Sequence, residues 1–332
     1  IAPQLSANTD AMYLNDKLFE RVKTVFNSPE KDQLTTEQQM VLKHYYNSFV
    51  RGGANLSPEK KERLKAINSE LAVLSLKFGD NQLKETNAYK LVIDNKKDLS
   101  GLPEGVVAAA ADAAKEAGME GKWVFTLHNP SIMPFLQYAD NRDLREQIYK
   151  AYINRGSNKN ANNNWDNISK MVSLRAEKAH LLGFPDYASY VIDNNMAKTT
   201  DNVYKLCNQI WEAALPNAKA EAAELQKMIN REGGKFKLAP WDWRYYSEKL
   251  KKEKYGLDQT EISQYFPLEK VREGTFYVAN KLYGITFTQL DNLPLPHPDA
   301  IAFEVKDADG SHIGILYADY FPRASKGSGA WM

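Results

Sequence analysis

The sequence predicts a mainly α-helical fold of long packed helices, with a small β insert and a C-terminal β-hairpin that begins an α/β lobe. Three observations carry this prediction. Apolar residues recur at helical spacing over most of the stretch from Asp10 to about Gly284. Two short β-rich runs, Tyr89 to Asp94 and Lys122 to Leu127, flank an Ala-rich segment. Beyond Gly284 the apolar period drops to two.

Taken in order, Leu14, Leu18, Val22 and Val25 with Phe26 form the first apolar stripe. Leu64, Ile67, Leu71, Leu74 and Phe78 form a second, after the start signal Ser57-Pro58-Glu59. The Ala-rich segment between the two β-rich runs is opened by Pro103 and closed near Gly118, which predicts a strand, helix, strand insert over about 89–127. Helices are expected again from Asn141 to Arg155, Asn164 to Leu182 and Asp201 to Arg231. The last carries Pro216, where a bend or break is expected, and ends at Gly233-Gly234. Ile301, Phe303 and Val305 then alternate with polar residues up to Asp307-Ala308-Asp309-Gly310. Ile313 to Tyr320 reads as the returning strand of a hairpin. The domain division that follows is a helical body over 1–266 and the incomplete start of a second lobe over 267–332.

Composition narrows the function classes. Forty-three basic residues stand against 42 acidic ones, a formal net charge of +1, so no bulk field draws the chain to nucleic acid or to an anionic membrane. The single cysteine, Cys207, rules out an internal disulfide and a cysteine-based metal cluster within one chain. Its neighbours Leu206 and Ile210 make it read as a buried small hydrophobe. With no apolar run of about 18 residues, no segment reads as membrane-spanning. The first residues lack the pattern of a signal peptide and both ends read as cut, which leaves a cytoplasmic chain, or a periplasmic one after signal removal, as the expectation.

Four motifs occur in a fixed order: Leu181 to Tyr187 (LLGFPDY), Met196-Ala197-Lys198-Thr199, Pro240-Trp241-Asp242-Trp243 with Tyr246 and Glu248, and Asp319 to Met332 (DYFPRASKGSGAWM). Together they resemble the thimet-oligopeptidase-like zinc metallopeptidases, in particular the bacterial peptidyl-dipeptidase (dipeptidyl carboxypeptidase) branch. The likeness covers nearly the whole chain. It implies a helical fold with a channel between two lobes and a zinc-dependent metallopeptidase that cleaves short peptides, in this branch by releasing C-terminal dipeptides. The second lobe would then be the catalytic one.

The resemblance also implies that the zinc is bound downstream of the Gly-Ala-Trp-Met segment. A zincin helix needs two histidines four residues apart, so that both imidazoles face the metal. The residues four beyond His44, His128, His180, His297 and His312 are Ser48, Ile132, Phe184, Ile301 and Leu316. No catalytic or metal-ligating residue is therefore assigned in this chain; zinc belongs to the complete enzyme, and the chain by itself is expected to be inactive. What it would contribute is the substrate strand. Ser328, Gly329, Ala330 and Trp331 are the substrate-binding candidates, because an extended peptide pairs its backbone with an edge strand and small residues permit the approach. Two positions depart from the family pattern: Ser328 stands where a glycine is usual, and Ala324 where an acidic residue is common.

Other candidates have plainer readings. Asp319 and Arg323 read as an ion pair bracing the end of a strand. Trp241, Trp243, Tyr245 and Tyr246 read as core packing at a helix start, and Glu248 to Lys254 as a solvated helix face paired at i, i+4. His128 and His180 read as hydrogen-bonded structural residues. The expected partners are short peptides, with self-association through the uncovered C-terminal lobe. The alternative reading is a non-catalytic helical scaffold that binds peptides or a partner protein.

Overall fold

In the computed structural model, which describes residues 1–327, the periodicities resolve into thirteen α-helices and five strands among the described residues. Helices α1 (Ala2–Tyr13), α2 (Asp16–Asn27), α3 (Thr36–Arg51) and α4 (Pro58–Ala88) come first. Strand β1 (Leu91–Ile93), helix α5 (Glu104–Glu116) and strand β2 (Trp123–Phe125) then form the expected insert. Helices α6 (Asn129–Tyr138), α7 (Arg142–Ile153), α8 (Trp165–Leu181), α9 (Tyr187–Ile192) and α10 (Thr200–Arg231) follow. Helices α11 (Pro240–Tyr255), α12 (Gln259–Ser263) and α13 (Leu268–Tyr283) precede strands β3 (Thr286–Leu290), β4 (Ile301–Lys306) and β5 (His312–Ala318). The chain is thus mainly α, with small antiparallel sheets of two and three strands.

Contacts group the residues into two compact units, Ile1–Glu85 with Asn154–Ala220, and Thr86–Ile153 with Glu221–Met332. The second contains both the insert and the residues from 267 onward.

In the first unit, α2 and α3 pack through Phe19, Phe49 and Ala54, with Val22, Tyr46 and Val50 around them. Phe19 stacks on Phe49 at 5.7 Å between ring centres and Phe26 on Tyr46 at 3.9 Å. Each buried aromatic side chain of this kind contributes on the order of 2 kcal/mol. The face of α2 is therefore rotated from the expected stripe: Phe19 is 3% exposed, whereas Leu18 and Val25 are exposed. Spacing alone chose the aliphatic residues, and packing chose the larger rings. Thr35 and Gln38 form a reciprocal capping box that starts α3, at 3.0 and 3.3 Å.

Two further expectations need correction in this unit. Of the bend or break expected at Pro216, the break is not formed: α10 is one helix through it. The proline removes one amide, whose acceptor would be the carbonyl of Glu212, and Glu212 is exposed to solvent. Cys207 is exposed rather than buried. Its helical neighbours Tyr204, Leu206, Ile210 and Trp211 are also exposed, so this apolar stripe of α10 faces outward among the described residues.

The second unit is organised by the insert. β1 and β2 pair antiparallel, Leu91 opposite Phe125 and Ile93 opposite Trp123, and their inward residues join Ile132, Phe135, Leu136 and Ile148 of α6 and α7 in one core. The expected hairpin is present and extended to three strands, β3-β4-β5. β3 pairs along β4 from Thr286–Lys306 to Leu290–Ala302. The β4-β5 turn closes at Gly310, whose φ of 85° is the left-handed conformation that glycine takes without strain. Phe276 of α13 stacks on Phe287 at 4.0 Å and meets Phe303 edge-on at 5.0 Å, fixing the helix on the sheet.

Candidate functional site

β5 leads directly into the terminal motif. Asp319 Oδ2 accepts a hydrogen bond of 2.7 Å from Arg323 Nη1, and its Oδ1 lies 3.2 Å from Lys326 Nζ. Lys326 Nζ also donates to the carbonyls of Asp319 and Phe321. One carboxylate thus gathers two cations and folds the segment back on itself. The Arg323 hydrogen bond, ahead of the Lys326 one, holds the Asp319 carboxyl below the usual aspartate range. The bracing ion pair expected between Asp319 and Arg323 is formed. Asn87 adds a tether, its Nδ2 donating to the Ala324 carbonyl at 2.8 Å.

This folded segment forms one wall of a cleft of about 770 Å³. α13 supplies the second wall through Leu268, Arg272, Thr275 and Phe276, and the start of α6 supplies the third through His128, Asn129 and Pro130. Arg272 is half-buried, its guanidinium 5.4 Å from the ring centre of the buried Phe303. The last described residues lining the cleft are Lys326 and Gly327, and Ser328 is the next residue of the chain. The substrate-binding candidates Ser328, Gly329, Ala330 and Trp331 lie outside the described residues.

The Pro240-Trp241-Asp242-Trp243 motif sits elsewhere in the same unit, and its aspartate is an anchor. Asp242 Oδ2 accepts from Ala239 N at 3.1 Å, within the first turn of α11. Its carboxylate also receives Arg142 Nη2 at 2.9 Å and Arg145 Nη2 at 3.0 Å. Tyr245 and Tyr246 are buried as core residues, as expected, while Trp243 faces an open groove with Arg244, Ser247 and Glu248. Glu248 is bonded to Gln137 Nε2 at 2.7 Å and paired with Lys251 at 2.9 Å. That pair is i, i+3 and not the expected i, i+4; Lys252 and Lys254 reach Asp258 and Glu224 instead.

The LLGFPDY motif is likewise a structural loop in the first unit. Gly183, at φ 86°, ends α8; His180 Nε2 lies 2.9 Å from the Pro185 carbonyl, and Asp186 caps α9 by accepting from Ser189 N at 2.7 Å. Among the described residues, no three His, Cys, Asp or Glu side chains are grouped to hold a metal ion. His180, His297 and His312 are engaged with Pro185, Asp299 and Glu304. The described residues do not fit a zinc site. No helix among them is long and apolar enough to cross a membrane.

Residues 135–332, which include the α11 motif and the terminal segment, match the model of peptidase family M3. The chain belongs to peptidase family M3. It is 36% identical over 330 residues to the dipeptidyl carboxypeptidase of Escherichia coli, covering 99% of this chain and 48% of that protein. To oligopeptidase A of the same organism it is 32% identical over 334 residues, with 99% and 49% covered. An organellar oligopeptidase A of Arabidopsis thaliana is 34% identical over 328 residues, with 95% and 41% covered. The chain therefore spans about half the length of the curated relatives it matches.

Sequence reasoning found the terminal motif but missed four residues, two that shape its surroundings and two that hold Asp242 of the α11 motif. Arg272 stands in an ordinary mixed helix, and Asn87 lies far away in sequence. Neither carries a local signal. Arg142 and Arg145 do have one: their i, i+3 spacing puts both guanidinium groups on one helical face.

Proposed function

We propose that this chain is the substrate-channel portion of an M3 zinc peptidase that cleaves short peptides, releasing C-terminal dipeptides, with the metal ligands and general base outside it. The observation that carries the reading is the cleft that borders the terminal motif of a family M3 chain. By the family resemblance the peptide pairs its backbone with the strand assigned to Ser328 to Trp331, a mode that accepts any side-chain sequence equally. Small side chains at Gly329 and Ala330 suit close backbone approach. Asp319, Arg323 and Lys326 brace the chain from Asp319 to Lys326 and are assigned no contact with a reacting atom. The similarity to a dipeptidyl carboxypeptidase favours exopeptidase action. That no two histidines of the sequence stand four residues apart supports a metal site encoded elsewhere.

The test is Ala330→Phe in the complete enzyme, which is expected to lower kcat/KM for short peptides at least about tenfold, roughly 1.4 kcal/mol of transition-state binding. Unchanged turnover would refute the substrate-strand assignment. The chain alone, incubated with zinc and a blocked oligopeptide, is expected to show no metal-dependent hydrolysis. Stoichiometric tight zinc binding by the isolated chain would overturn the placement of the metal site.

A further inference from the structure

We infer that Arg272 is the anchor for a carboxylate of the bound peptide, an assignment that rests on the peptide-channel reading above. A backbone-pairing strand cannot tell where along a peptide the scissile bond should fall, since every residue offers the same amide groups. Counting from an end needs a group that recognises the end, and a free C-terminus presents a carboxylate. The cleft has such a group.

The charged and titratable groups facing it are His128 just before α6, Arg272 from α13, Tyr317 from β5, and Asp319, Tyr320 and Lys326 from the terminal segment. Asp319 is already committed to Arg323 and Lys326. Arg272 has no carboxylate within ion-pair distance among the described residues, unlike Arg142 and Arg145 in the same unit, which share Asp242. The cleft therefore carries excess positive charge in a chain whose formal net charge is only +1.

The mounting of Arg272 suits the task. Its guanidinium is packed near the face of Phe303, which is 4% exposed and held by Phe276. Stacking holds the planar group while leaving its edge N–H donors available for a bidentate carboxylate. Partial burial lowers the competition from water and strengthens the pair. The same chemistry is offered by a terminal carboxylate or by an Asp or Glu side chain.

The experiment is calorimetric titration of the 332-residue chain with N-acetyl-trialanine, with its C-terminal amide, and with an amidated peptide carrying one internal Glu. The wild-type chain is expected to bind a carboxylate-bearing peptide about tenfold more tightly than the plain amide, the scale of one charge-assisted pair. Preference for the free acid identifies the C-terminus as the group read; preference for the internal Glu identifies a side chain. Arg272→Ala and Arg272→Gln are expected to erase the preference, and Arg272→Lys to restore part of it, with melting curves confirming that each variant is folded. An acid-to-amide ratio unchanged in Arg272→Ala overturns the assignment. Equal binding of all three peptides by wild type overturns it while leaving the channel reading intact, and no binding of any peptide overturns both.

Discussion

Arg145 Nη2 lies 3.0 Å from Asp242 Oδ1, and the two side chains are 1% and 0% exposed. Arg145 spends its remaining donors on the carbonyls of Ala139, at 2.6 Å, and of Asp140 and Trp241, while its guanidinium stacks 4.0 Å from the Tyr245 ring. Arg142 closes the other side of the carboxylate and packs 4.2 Å over Phe236. The motif aspartate is thus the point where α6, α7 and α11 are tied together. Full hydrogen bonding is what makes a buried charge tolerable at that depth.

Asp242→Ala is expected to cost about 3–5 kcal/mol, because it leaves the Arg145 charge buried without its acid. Asp242→Asn, which keeps the shape and the acceptor oxygen, is expected to cost less. Urea denaturation followed by circular dichroism measures both. A loss under about 1 kcal/mol for the alanine variant would show that the pair contributes little.

How much of this could be read beforehand depended on range. The insert was legible because Pro103, Gly118 and the alternation around Leu91 and Val124 are local signals. The start of α4 at Ser57-Pro58 was legible for the same reason. The Asp319–Arg323 pair lies within four residues and was also within reach. Phe19 packs where the stripe predicts Leu18, because a stripe fixes a helical face only to within a residue and tertiary packing selects the ring. Cys207 is exposed on a stripe that reads as buried, because an apolar stripe says that a face is to be covered, not what covers it. Asn87 and Arg272 reach the cleft through contacts distant in sequence, on which no local pattern bears.

Lys198 tests a motif position from the backbone side. It takes φ 65°, the only non-glycine with positive φ among the described residues, and so presents Thr199, whose Oγ1 caps α10 by accepting from Asn202 N at 3.2 Å. A side chain in the left-handed region costs about 1–2 kcal/mol, partly offset in a glycine variant by the greater freedom of its unfolded chain. Lys198→Gly is therefore expected to be at least about 1 kcal/mol more stable than Lys198→Val, whose branched Cβ worsens the strain. Equal denaturation midpoints would contradict that account.

Glu85 organises the asparagine-rich loop. Its buried carboxylate accepts from Gly156 N at 2.6 Å, Asn158 Nδ2 at 2.9 Å and Asn160 Nδ2 at 2.6 Å. Glu85→Ala strands three donors, one of them a buried backbone amide, and is expected to cost about 3 kcal/mol. Amide hydrogen exchange reads the effect locally: Gly156 should lose protection before residues of α3. Uniform protection across the variant would show that the loop is held by other contacts.

The terminal brace makes the cleft wall sensitive to acid, with a definite sign. The Arg323 hydrogen bond, then that from Lys326, lowers the folded-state pKa of Asp319 below the ordinary aspartate value. A depressed carboxylate contributes its stabilisation in full above the unfolded value and loses it as pH falls through the folded one. The segment from Asp319 to Lys326 should therefore stay closed at neutral pH and loosen only below about 3.8, the ordinary aspartate range. Carboxyl-detected NMR of Asp319 should give a midpoint under that value, and Arg323→Gln should move it upward by removing the leading cause. At neutral pH, where the acid is charged in the wild type, Asp319→Asn should mimic the acid state and speed tryptic cleavage after Arg323 and Lys326. A midpoint at or above the ordinary value, or cleavage rates equal to wild type, would mean that the two cations do not hold this wall in place.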